Sequence, residues 1–259
     1  MDHSWKTVSL EFSKDDRIAT ITIDRPDRLN ALDVTTLEAL DDAIAQSSNA
    51  HVVVLTGAGD TAFVAGADIE YMSEMTTPEA LTFAQRGHAV CNAIETHSAP
   101  VIAAVNGYAF GGGCELALAA DLRVASENAV LGQTEIDLGI VPGWGGTQRL
   151  VRLVGDERAR RMIYFGDRLD SEEALEASLV SEVVPQSDLS THVQSMAEEL
   201  AQKPSFALST AKAAINQVHE LHQHAGLEYE QRVWSGLFGT HDQREGMAAF
   251  LADRDPTFE

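Results

Sequence analysis

The residues best suited to chemistry gather around two glycine-rich turns. The first lies in Asn106-Gly107-Tyr108-Ala109-Phe110-Gly111-Gly112-Gly113-Cys114-Glu115, where three glycines separate an apolar run from a helical pattern. Glycines there let the backbone pass close beneath a ligand. N–H groups at a helix N-terminus point at whatever sits before them and favour negative charge, which suits an anion cradle or an oxyanion hole. A tight strand-to-helix packing turn has the same spelling, and motif shape leaves both readings open. The run is not a phosphate loop, because no Gly-Lys-Ser/Thr follows and the Gly-x-Gly-x-x-Gly spacing is absent. Glu115 falls in the first turn of the helix, where a lone carboxylate also serves simply to offset the helix dipole. Glu135, in Gly132-Gln133-Thr134-Glu135, precedes the second bend, Pro142-Gly143-Trp144-Gly145-Gly146-Thr147. Two carboxylates, each beside a glycine turn, suit paired acid–base work, while a solvated loop carboxylate is the plainer reading of Glu135. A third piece, Ala62-Phe63-Val64-Ala65-Gly66-Ala67-Asp68-Ile69, offers another backbone N–H or merely close packing.

The elements that must position these groups follow from hydrophobic pattern. Val8 to Phe12 and Ile18 to Ile23 read as paired strands turned by Lys14-Asp15-Asp16. Asp33 reads as the N-cap of a helix through Ala45, with Leu37, Leu40 and Ile44 on one face. The apolar runs His51 to Leu55 and Pro100 to Val105 mark strands covered on both faces. Helices are expected over Pro78 to Glu95, Cys114 to Ala120 and Thr147 to Val154, with short strands at Leu122 to Ala125 and Val130 to Gly132. From about Ser187 the chain reads as helix nearly throughout. The expectation is an α/β core over 1–190 and a helical region over 191–259.

Composition narrows the function classes. The chain has 259 residues, 44% hydrophobic and 22% charged, enough to bury a core. Forty acidic against 18 basic residues give a net charge of −22, and only Lys6, Lys14, Lys203 and Lys212 are lysines. A nucleic-acid groove or a polybasic membrane face is therefore not expected. The acid is spread along the chain rather than held in a tail, which resembles cytosolic proteins of salt-in halophiles, although an ordinary acidic protein has the same balance. Cys91 and Cys114 show neither metal-ligand spacing nor disulfide density, so a reducing cytoplasm and no metal are expected. The segment Met1 to Phe12 lacks the pattern of a signal peptide, and no apolar run is long enough to span a bilayer.

Taken in order, these pieces resemble the crotonase superfamily, the enoyl-CoA hydratase/isomerase family. The resemblance rests on Arg25-Pro26 with Asn30-Ala31-Leu32, on Ala65 to Ile69, and on Pro100 through Glu115. It continues through Gly132-Gln133-x-Glu135, Pro142-Gly143-x-Gly145-Gly146-Thr147-Gln148-Arg149-Leu150, Gly166-Asp167-Arg168 and Arg244-Glu245-Gly246-Met247. It implies a spiral of β-β-α units forming two angled sheets, with C-terminal helices that mediate trimers, often paired into hexamers. It also implies an acyl-CoA thioester substrate, with coenzyme A as part of that substrate and no separate cofactor.

By the same resemblance, the N–H groups of Ala67 and Gly112 form an oxyanion hole, Glu135 protonates Cα, and Glu115 positions and activates water. Substrate contacts are implied at Arg28, Leu29, Ala65, Asp68, Ile69, Glu70, Pro142, Gly143 and Trp144. Two departures stand out: Asp27 and Glu70 lie where relatives often carry lysines for the CoA phosphates, and Trp144 replaces a small residue. The expected activity is hydration of a 2-trans-enoyl-CoA. The alternatives are an enoyl-CoA isomerase or other crotonase-type acyl-CoA enzyme and, in another class, a non-catalytic RNA-associated relative.

Overall fold

The computed structural model describes residues 3–13 and 15–259. Met1, Asp2 and Lys14 lie outside the described residues, and with them part of the expected first turn and of the segment read for a signal peptide. The chain opens with β1 (His3–Ser4), β2 (Val8–Phe12) and β3 (Ile18–Ile23), paired antiparallel. α1 (Val34–Gln46) follows, capped by Asp33, which accepts from the Thr36 N–H at 2.8 Å.

Three successive passes then share one plan. β4 (Val52–Gly57) leads to β5 (Ala62–Val64), and α2 (Ile69–Met72) and α3 (Thr77–Glu95) return the chain. β6 (Val101–Val105) leads to β7 (Tyr108–Phe110) and α4 (Gly112–Ala119). β8 (Leu122–Ser126) leads to β9 (Val130–Gly132), a 3-10 turn (Glu135–Leu138), α5 (Gly146–Val154) and α6 (Asp156–Tyr164). β10 (Arg168–Asp170), α7 (Ser171–Glu176) and β11 (Glu182–Val184) precede α8 (Leu189–Ala201), α9 (Ser205–Asn216), α10 (Gln223–Gly236) and α11 (His241–Leu251). The first strand of each pass joins a seven-stranded sheet of order β1-β2-β3-β4-β6-β8-β11. The second joins a four-stranded sheet of order β10-β9-β7-β5. Both sheets are mixed, with parallel pairs where helices cross over and antiparallel pairs at β1-β2-β3 and β10-β9. This is the α/β spiral with two sheets and C-terminal helices that the sequence led us to expect.

The uninterrupted apolar strands are explained by burial on both sides. Val53 and Leu55 of β4, with Val101, Ala103 and Val105 of β6, face the main core between the sheets and helices. Their neighbours Val52, Val54, Ile102 and Ala104 face Leu189, Val193 and Ala197 of α8. Side chains alternate across a strand, so covering both faces requires apolar residues at every position. α9 is fastened to the body by buried Lys212, whose Nζ donates to Asp121 Oδ2 at 2.7 Å and to the Ile94 and Ala99 carbonyls at 3.2 Å. Among the described residues no helix is long and apolar enough to cross a membrane.

Candidate active site

Both glycine turns and the Ala65–Ile69 segment open onto one cavity of about 550 Å³. Its wall includes Ala67, Gly112, Glu115, Glu135 and Trp144. Gly111 adopts φ 48° just before α4, in the region that favours glycine, and turns the chain from β7 into the helix. α4 therefore begins at Gly112, two residues earlier than the apolar pattern predicts. As the first helical residue, Gly112 has no intrahelical acceptor for its N–H.

The segment around Ala67 is fixed from the opposite side. Leu32 N–H donates to the Gly66 carbonyl at 2.9 Å, and Asp68 N–H donates to the Leu32 carbonyl at 2.8 Å. Successive N–H groups of an extended segment alternate in direction, so the Ala67 N–H faces away from Leu32. It has no backbone acceptor among the described residues. The Leu29–Asn30 turn that supports this pairing has positive φ at both residues. Buried Asn30 holds it, accepting from Arg25 N–H at 2.9 Å and donating to the Ala58 and Ala62 carbonyls at 3.0 and 2.8 Å.

Glu115 is only 1% exposed. Its Oε1 accepts from the N–H groups of Trp144 and Gly146, each at 2.7 Å. Gly146 is the first residue of α5, so Glu115 caps a neighbouring helix rather than offsetting the dipole of its own. Burial pushes its carboxyl up, and the backbone donors from the 143–146 turn oppose that. Glu135 opens the 3-10 turn after β9 and is buried beside Gly111. Burial pushes its carboxyl up to about 7, with the nearby Glu115 charge adding to the rise. Gln133, fully buried, donates to both Glu135 oxygens at 2.9 and 3.1 Å once its amide nitrogen is turned toward them. Two titratable carboxyls and two unpaired backbone donors thus share one partly apolar cavity, a set suited to moving protons beside a polarised carbonyl.

Comparison with known proteins agrees. The family model for enoyl-CoA hydratase/isomerase matches residues 13–259. The chain belongs to that family. It is 42% identical over 244 residues to a short-chain-enoyl-CoA hydratase of Clostridium acetobutylicum, covering 93% of this chain and 94% of the relative. It is 40% identical over 258 residues to a crotonyl-CoA hydratase of Syntrophomonas wolfei, covering 98% of each. The solved structure of an enoyl-CoA hydratase from Bacillus anthracis superposes with a TM-score of 0.94 at 38% identity, over 98% of this chain and 99% of that one.

The remaining expected contacts divide into two groups. Ala65, Ile69, Gly143 and Trp144 line the cavity. Pro142 is buried beneath the start of α5, and Leu29 is exposed at the turn that supports Ala65, whose N–H it receives at 3.0 Å. Asp68 does not line the cavity: its carboxylate caps α2 through Tyr71 N–H and pairs with Arg25 at 3.2 Å. Arg25 reaches Asp33 as well, also at 3.2 Å, and ties the segment to α1. Arg28 and Glu70 pair with each other at 2.9 Å outside the cavity, 58% and 78% exposed, so the contact is worth little in stability.

Sequence reasoning picked out neither Gln133 nor Arg149 as a site residue. Arg149 donates to the Trp144 carbonyl at 3.0 Å and to Glu95 Oε2 at 2.6 Å, which fixes the second turn against α3. Both residues stand inside the quoted motifs; Gln133 acts on Glu135 two residues on, a contact that depends on the local bend, while Arg149 acts through a long-range contact with α3. Cys114 adjoins Glu115 in the sequence, and burial pushes its thiol up, far from the range of a nucleophile.

Proposed function

We propose that this chain is an enoyl-CoA hydratase, adding water reversibly to a 2-trans-enoyl-CoA to give the 3-hydroxyacyl-CoA. The observation that carries the reading is the pair Glu115 and Glu135, buried in the same cavity as the Ala67 and Gly112 N–H groups. The hydratases of C. acetobutylicum and S. wolfei, both near 40% identity, support it. In this reading the thioester oxygen accepts from Ala67 and Gly112, which stabilise the charge that develops there as water attacks Cβ. Glu115, ionised, takes a proton from the water through the oxygen that the backbone leaves free. Glu135, protonated, gives its proton to Cα as the enolate collapses. The substrate gains one water, and transfer of the proton from Glu115 to Glu135 restores the starting state. Close carboxyls disfavour double ionisation, which keeps one proton on the pair near neutral pH.

By resemblance, 3-to-2-enoyl isomerases usually keep only the second glutamate, so the presence of Glu115 favours hydration over double-bond migration. We also propose assembly into trimers or hexamers through α9–α11, where Phe206, Trp234, Phe250 and Leu251 are exposed. The test of function is to supply crotonyl-CoA and follow loss of the conjugated double bond, with a 3-enoyl-CoA in parallel. Hydration of the first is expected. Migration in the second without hydration of the first would contradict the proposal.

A further inference from the structure

A second cavity, of about 450 Å³, lies beside the first. Met75 and Phe83 are the residues lining both. Ala80 and Ala84 of α3 face the first cavity, while Pro78, Glu79, Thr82 and Arg86 of the same helix face the second. Phe83 stands between these rows, 6% exposed. Its ring lies 5.4 Å from Trp144, edge to face, and 5.5 Å from Tyr71. Rings packed at such distances and angles hold one another in place. Met75, by contrast, has a flexible thioether that adapts to what touches it.

Trp144 is itself fixed. A Cβ on Gly87 or Gly112 would come within 2.2 and 2.3 Å of the indole, so the ring is slotted between α3 and α4 where only glycine fits. Its backbone N–H holds Glu115 and its carbonyl receives Arg149. The wall formed by Trp144 and Phe83 is therefore tied directly to a carboxylate of the site. A rigid wall at a fixed place relative to the reacting atoms limits the length of the chain that extends from them.

We infer that Phe83, braced by Trp144, is the partition that ends the acyl compartment and restricts this protein to short acyl chains. This deepens the hydratase reading and rests on it for the identity of the substrate. The apolar side of the second cavity, formed by Val34, Tyr71, Met75 and Pro78, is the room that a longer chain would need.

The test compares wild type, Phe83→Ala and Phe83→Leu on 2-trans-enoyl-CoA of four to ten carbons. Affinities for saturated butyryl- and decanoyl-CoA are measured calorimetrically alongside, with melting temperature as the check on folding. Wild type is expected to favour four carbons over ten by at least the 10–200-fold typical of a sterically rejected methylene. Phe83→Ala should raise the ten-to-four ratio of kcat/KM about tenfold or more, with the ratio of affinities moving in the same direction. Phe83→Leu, which disturbs packing less, should shift both ratios part of the way and stands in if the alanine variant does not fold. A folded variant with unchanged ratios overturns the inference. So does a wild type that handles ten carbons as well as four, which would mean that the tail leaves past the exposed rim at Ile140 and Val141. Shifted affinities without hydration at any length would leave the partition standing and sink the hydratase reading instead. Absence of any acyl-CoA binding would overturn both.

Discussion

Glu115 and Glu135 occupy one cavity but are held in different ways, and the difference supports the proposed division of their roles. Backbone donors from the 143–146 turn hold one oxygen of Glu115, which favours its charged form and leaves the other oxygen for water. Glu135 has only its own N–H as a backbone donor, and burial outweighs it, lifting the carboxyl to about 7. A proton donor with that value is lost as pH rises through it, so hydration kcat/KM should hold steady just below pH 7 and fall above it. A profile flat from pH 6 to 9 would contradict the assignment of Glu135 as donor. Both glutamates were legible in the sequence because each sits beside a glycine turn. The capping of α5 by Glu115 was not, because it depends on a backbone turn that folds back from far along the chain.

At the scale of elements, the helix start at Gly112 carries two constraints at once. In the proposed reading its N–H must reach the thioester oxygen, and its Cα lies flush against the Trp144 ring. Gly112→Val pushes a side chain into the indole and displaces the donor, so it should lower both melting temperature and turnover. Loss of one such donor typically costs about 10²–10³ in kcat. Gly112→Ala makes the smaller intrusion and should fall between. Either variant, folded and fully active, would remove Gly112 from the oxyanion role. The long strands, α1, α3 and the α5 motif were readable because double-sided burial or a capped apolar stripe writes itself into consecutive residues. The three-residue strands β5, β7 and β10 merge with the glycine turns that they adjoin, whereas the equally short β9 was read. α6 buries only Ala159 and Met162, too thin a stripe to separate from a charged loop.

At the scale of the molecule, the scarce cations are partly consumed inside the fold. Arg123 and Lys212 are buried, Arg25 is held between Asp33 and Asp68, and Arg149 is clamped to Glu95. Their partners Asp33, Asp68, Glu95 and Asp121, and the buried Glu115 and Glu135, are withdrawn with them, so the surface keeps the strongly negative balance of the whole chain, net −22. Carboxylates at that density repel one another and an incoming polyanion over a screening length that falls from about 10 Å at 0.1 M salt to about 3 Å at 1 M. Raising KCl from 0.1 to 2 M should therefore increase melting temperature and lower KM for an enoyl-CoA. A KM that climbs steadily while stability stays flat would mean that ordinary cation–phosphate contacts dominate, and would sink the salt-adapted reading alone. Sedimentation of the same samples should give the mass of three or six chains, and a monomer at all protein concentrations would contradict assembly through α9–α11. The acidic excess was plain in the sequence. Which cations the fold withdraws from the surface emerged only with the tertiary contacts.

The most direct test of the central claim, that two carboxylates act on one water, is the crotonyl-CoA hydration rate of Glu115→Gln, Glu135→Gln and the double variant, each checked for folding. Each single change should cost about 10²–10⁴ in kcat, the usual contribution of a positioned acid or base. The double variant should lose little more than the worse single, because residues that act as a unit are far from additive. A single variant that keeps near wild-type hydration, or losses that multiply in full, would contradict the account.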